Sequence, residues 1–89
     1  MIQYIQTENC EATELDGEWM ILNSNQLTIT KLNDVGGHCW SLLEQKQTAQ
    51  TLTQSLLEKF PANDITEVKQ DIEEFLMNLM EYGLVQHAN

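Results

Sequence analysis

The sequence predicts an α+β fold of winged helix-turn-helix type, in which a three-stranded antiparallel N-terminal sheet is followed by three α-helices. Three observations predict it. An Asp16-Gly17 turn separates two β-prone runs, apolar and polar residues alternate as far as Leu32, and beyond Leu32 the apolar spacing changes to three and four. Strands first and helices after is the order of a segregated α+β domain, not of a βαβ repeat.

Residues 10–15, CEATEL, make the first strand of the meander, and both Asp16 and Gly17 tolerate the positive φ of a tight turn. Residues 18–22 return with Trp19, Met20 and Ile21 as the second strand. Asn23-Ser24-Asn25 turns the chain again, and residues 26–32, QLTITKL, alternate through Leu27 and Ile29 as the third. Residues 2–6 are a candidate further strand. Asn33 or Asp34 caps a first helix whose Val35, Cys39, Trp40 and Leu43 recur at helical spacing. Thr48 caps a second, with Ala49, Leu52, Leu56 and Phe60 along one side and Pro61 as its stop. Asp64 and Glu67 have capping-box spacing at the start of a third. The third helix carries a broad apolar stripe of Ile65, Val68, Ile72, Phe75, Leu76 and Leu79; Gly83 sits at its C-cap and Leu84-Val85 begin a short tail.

At 89 residues the chain is one domain, 1–89, close to the lower limit for a self-sufficient core, without room for a catalytic and a binding domain together. Fourteen acidic residues stand against four lysines and no arginine, for a net charge of −10. Binding to a phosphate backbone relies on Lys and Arg displacing counterions, so no nucleic-acid partner is expected. The N-terminal MIQYIQTENC lacks a basic region and an apolar core of signal-peptide length, and no apolar run nears the roughly 20 residues that span a bilayer. A soluble cytoplasmic protein with no membrane partner is expected. Cys10 and Cys39 read as two reduced thiols, not a disulfide framework.

Catalytic apparatus is hard to find. The soft metal ligands are Cys10, His38, Cys39 and His87, no two of which have C-x-x-C or H-x-x-x-H spacing. Adjacent His38 and Cys39 point about 100° apart on a helix, so they do not converge on one ion. No metal, no cofactor and no catalytic residue is expected. Glu67, Asp71, Glu73 and Glu74 form the solvated side of an amphipathic helix, and Gly36-Gly37 lack the lysine or third glycine of a nucleotide loop.

The third strand is more informative. At the end of a meander its outer edge is open, and within residues 26–32 Lys31 is the sole charge and proline is absent. Such an edge can accept a strand from another chain, with pockets against a neighbouring helix selecting alternate side chains. The competing reading pairs it internally with residues 2–6. Each glycine in the first helix costs about 1 kcal/mol relative to alanine. Gly36 has a packing reason if the helix lies close to the sheet or the third helix, and Gly37 also fits a plain irregular helix start.

The run Leu32-Asn33-x-x-Gly36-x-x-x-Trp40-x-Leu42-Leu43, then Thr48, then Asp71-Ile72-x-x-Phe75-Leu76-x-x-Leu79-x-x-x-Gly83-Leu84 resembles the PqqD-like family, also called RiPP recognition elements. The resemblance spans residues 10–86 and departs from many members after the first helix, where Glu44-Gln45-Lys46-Gln47 stands in place of an Asp-Gly. It implies a non-catalytic domain that binds the leader of a ribosomally made precursor peptide, the leader adding as a strand to the third β-strand and lying against the third helix. Carried onto this chain, the strand is Leu27, Thr28, Ile29, Thr30 and Lys31, and the helix wall draws on Val68, Asp71, Ile72, Phe75 and Asn78. The implied partner enzyme is a separate leader protease, as in lasso-peptide biosynthesis, which the compact hairpin region favours; a radical SAM enzyme, as in pyrroloquinoline quinone biosynthesis, is the alternative. A winged-helix transcriptional regulator shares the architecture, but the second helix offers only Lys59 to a phosphate.

Overall fold

A computed structural model describes residues 1–61 and 64–88. The elements run β1 (Tyr4–Gln6), β2 (Cys10–Leu15), β3 (Glu18–Asn23), β4 (Thr28–Leu32), α1 (Asp34–Leu42), α2 (Ala49–Lys59), α3 (Ile65–Glu81) and β5 (Val85–His87). The expected meander is the sheet β2-β3-β4, so its third strand is β4 in chain order. Asp16 and Gly17 both take positive φ, +54° and +80°, as a two-residue hairpin turn of type I′ requires.

Register assigns every side chain to a face. Ile21 lies opposite Ala12 and Thr30, and it is fully buried against the helices. Trp19, Asn23, Thr28, Thr30 and Leu32 share that inner face, whereas Met20, Leu22, Ile29 and Lys31 share the outer one. The core between inner face and helices contains Cys39, Trp40 and Leu43 of α1 and its end, Leu52 and Leu56 of α2, and Ile72, Leu76 and Leu79 of α3. Leu84 and Val85 close it from below.

The helix ends follow the local chemistry. Asn33 is the N-cap of α1, its side-chain oxygen accepting from Gly36 N–H at 2.8 Å. Thr48 caps α2 through a reciprocal box with Thr51. Asp64 caps α3 by accepting from the N–H groups of Thr66 and Glu67, a one-way cap where the sequence spacing suggested a box. α3 ends in a Schellman motif: Gly83, at φ +73°, donates to Met80 O, and Leu84 donates to Leu79 O at 2.9 Å.

The candidate strand within residues 2–6 is present as β1, and the competing reading that paired it with the meander fails: β1 pairs antiparallel with β5 and bridges to Gln47, so the short tail after Gly83 is a strand. Two expectations are corrected. Gln26 and Leu27 lie before the third strand, not in it. The buried Asn23 side chain accepts from the N–H groups of Asn25 and Gln26, which holds the turn open to four residues and leaves Leu27 in the left-handed region at φ +56°. Finally, Gly37 has the more stringent packing role. A Cβ there would overlap the Trp19 indole, whereas one at Gly36 would meet Asn33 Oδ1 and Phe75 Cε1 at 3.3 Å.

These two glycines give a paired prediction. Gly37→Ala forces Trp19 off the inner face and should lower unfolding free energy by roughly 1–3 kcal/mol in urea titration. Gly36→Ala gains helix propensity against a tight but yielding contact, so its change should stay within about 1 kcal/mol. Equal costs at the two positions would contradict the seating of α1 on Trp19.

Candidate functional site

The three-stranded sheet has two edges, that of β2 and that of β4. The edge of β2 carries Glu11 and Glu14, charges of the kind that discourage strand pairing. The edge of β4 has Lys31 alone. Which backbone groups face outward there follows from the hairpins. A two-residue turn makes Leu15 and Glu18 a bonded pair, so alternate residues Glu18, Met20 and Leu22 bond to β2. Trp19, Ile21 and Asn23 then bond to β4 through Leu32, Thr30 and Thr28. The N–H and C=O groups of Ile29 and Lys31 are left pointing out of the sheet.

Beside this edge lies a groove of about 500 Å³. β4 supplies Lys31 and Leu32 as one wall, and α3 supplies Val68, Asp71, Ile72 and Phe75 as the other. The start of α1 gives Asn33, Val35, Gly36 and Cys39 to the floor, and the end of α2 gives Leu56 and Phe60. The lining is apolar apart from Lys31, Asn33 and Asp71, and the Asn33 side-chain oxygen is already engaged in capping α1.

The structure thus joins five of the ten residues that the resemblance singled out: Lys31, Val68, Asp71, Ile72 and Phe75 all line the groove. Thr28, Ile29 and Thr30 belong to the adjoining edge without lining it, and the Ile29 side chain, 66 % exposed, leaves on the outer face. Leu27 is in the turn, and Asn78 lies exposed one to two turns beyond Asp71 with its carbonyl accepting from Tyr82 N–H. On α3, Leu76 and Leu79 are in the core, half-buried Val68 and Phe75 face the groove, and buried Ile72 belongs to both. The sequence reading missed Val35, Leu56 and Phe60 as lining residues. Their signal is the i, i+4 pairs Val35–Cys39 and Leu56–Phe60 at helix ends, where an apolar residue overhangs the core.

The Cys39 thiol at the floor and the neighbouring His38 imidazole do not form a nucleophilic pair. Cys39 is 1 % exposed, and burial pushes its thiol up to about 12, so it stays protonated at neutral pH. His38 turns toward Phe60, with ring centroids 6.3 Å apart in an edge-on arrangement. Its pKa is lowered, chiefly by burial and secondarily by Lys59, against a smaller opposing effect of Asp34. Cys10 is also a free thiol, and the described residues contain no cluster of three metal-ligating side chains. No helix among them is long and apolar enough to cross a membrane.

Two solved structures share this fold over nearly their whole length. TbiB1, determined in complex with the TbiA(beta) leader peptide, is similar with a TM-score of 0.83 at 23 % identity, covering 92 % of this chain and 94 % of that one. A lasso peptide synthetase B1 complexed with the leader peptide is similar with a TM-score of 0.79 at 17 % identity, covering 93 % and 96 %. No curated protein matches the sequence. The family model described as coenzyme PQQ synthesis protein D matches residues 18–85, from β3 through the start of β5, and the chain accordingly belongs to the PqqD family.

Proposed function

We propose that this chain is a non-catalytic chaperone that captures the leader segment of a ribosomally made precursor peptide by strand addition to β4. It then delivers the precursor to a maturation enzyme, a leader protease of the lasso-peptide type. One observation carries the reading: the unguarded edge of β4 and the apolar groove against α3 adjoin, so a single extended peptide satisfies both. Its backbone takes the outward N–H and C=O groups of Ile29 and Lys31, and alternate side chains enter the groove. The structurally similar proteins were each determined with a leader peptide bound, which supports the same occupant here. Recruitment raises the effective concentration of the scissile region near the enzyme and requires no chemistry in this domain.

The nucleic-acid reading is disfavoured by the charge of the same helix. α3 carries Lys69 among Glu67, Asp71, Glu73, Glu74 and Glu81, a balance that repels phosphate.

Backbone-amide NMR titration with synthetic leaders, taken from short reading frames encoded beside this chain, tests the proposal. Saturable shifts should fall on residues 28–32, the start of α1 and α3. Shifts centred on β2 would sink the placement, and an absence of shifts with every such leader would sink leader capture. Ile29→Pro removes an outward donor and Phe75→Ala hollows the groove wall; each should weaken leader binding by about tenfold in calorimetry while the fold is kept. Thr30→Pro is a different perturbation, because Thr30 bonds inward to β3, and it should lower stability.

The floor thiol gives a pH prediction. Its folded pKa is raised above the ordinary value near 9, so the native state keeps the proton longer than the unfolded chain does. The associated stability is intact below about pH 9 and is lost as pH rises toward 12. The urea midpoint should therefore fall above pH 9 in the parent and fall less in Cys39→Ala. In native protein at pH 8, iodoacetamide should label Cys10 well before Cys39.

A further inference from the structure

Strand addition alone leaves a register problem. A one-residue slip of the leader moves its apolar side chains out of the groove and is opposed by burial, whereas a two-residue slip keeps every side chain on its face. Something other than apolar alternation must separate those registers. The groove lining holds two charges, Lys31 on the β4 wall and Asp71 on the α3 wall, and neither has an ion-pair partner among the described residues. Lys31 at the β4 edge and Asp71 on the α3 wall thus flank the line an added strand would take, unpaired.

Their faces differ. Lys31 lies opposite Met20, so it leaves β4 on the outer face of the sheet. Asp71 belongs to the helix layer, which covers the inner face. Successive residues of a strand point to opposite faces. A leader residue that meets Lys31 and one that meets Asp71 are therefore an odd number of positions apart.

We propose that Lys31 and Asp71 fix the register of the bound leader by taking an acidic and a basic side chain set an odd number of residues apart, a reading that rests on strand addition to β4. Each contact is partly solvated, so each sets specificity more than affinity. Loss of one is worth roughly 1.5- to 5-fold in Kd and diminishes with added salt.

A library of random dodecapeptides displayed on phage, selected in parallel on the parent protein, Lys31→Glu and Asp71→Lys, tests this without knowledge of the natural leader. Both side chains are exposed, so both variants should keep the parent urea midpoint. Asp71→Asn, nearly isosteric, reads the same contact if Asp71→Lys does not fold. Parent selections should enrich an acid and a base at odd spacing, Asp71→Lys should replace the base by an acid, and Lys31→Glu should replace the acid by a base. Peptides that protect the Ile29 and Lys31 amides from hydrogen exchange yet show no odd-spaced charge preference would overturn the register role and leave strand addition intact. Peptides that leave those amides unprotected, or no enrichment on any of the proteins, would overturn strand addition and the register role together.

Discussion

The contact between Gly37 and the Trp19 indole sets the geometry from which the groove follows. Because Gly37 has no Cβ, the helix α1 rests directly on the indole, and its start is fixed against the sheet by the Asn33 cap and by Gly37 N–H bonding to Asn33 O at 2.8 Å. The next residue back, Gly36, faces the other way, toward Phe75 and Leu32. One missing methyl seats the helix and its neighbour leaves the floor open between β4 and α3. A helix start weakened twice by glycine is stabilised by packing and capping, the usual source of helix stability within a fold. The seat has its own cost, since the Trp19 indole N–H is buried with no hydrogen-bond partner among the described residues, a loss of about 1–3 kcal/mol.

The far wall is tied by a second polar node. Gly83 O, at the end of α3, accepts from Thr7 Oγ1 at 2.7 Å and from Asn23 Nδ2 at 3.2 Å. Asn23 is buried, and its other end holds the turn that leads into β4. A single side chain thus connects the beginning of β4 to the end of α3, while Gly36 and Phe75 set their spacing nearer the middle. β1 adds a third tie, with Gln6 N–H bonding Leu43 O and Thr7 N–H bonding Leu84 O. The walls of the groove are held by backbone and buried polar bonds, which favours a site formed before its occupant arrives.

What the sequence made legible follows from the range of each signal. The Asp16-Gly17 turn, the Asn33 and Thr48 caps, the Pro61 stop and the Gly83 terminator act within a few residues, and each is where the local chemistry places it. β5 and its pairing with β1 escaped, although residues 2–6 read as a candidate strand, because strands of three residues, YIQ and VQH, carry no usable alternation and find each other across the whole chain. Gly37 was read less stringently than Gly36 because its partner, Trp19, lies on another element. The wall on α3 was visible as a residue pattern, but not the division between core and groove: Ile72 and Leu76 are equally apolar, and only the position of β4 and Phe60 decides which of them meets open space. The face of Ile29 could be read only once the register of both hairpins was known.

An unguarded edge is a liability, since a second copy of the chain could pair with it as readily as a leader could. The edge of β2 handles the hazard locally, with Glu11 and Glu14. The edge of β4 cannot be handled in that way if it must remain receptive. The net charge of −10 supplies a remedy that acts at longer range: two copies approaching edge to edge bring like charge together over their whole surfaces, whereas a short extended peptide brings little charge of its own. Lys31, the lone cation on that edge, is compatible with this arrangement and gives an incoming acidic residue a local partner. On this argument the acidity of the domain and the openness of β4 belong together, the first making the second tolerable.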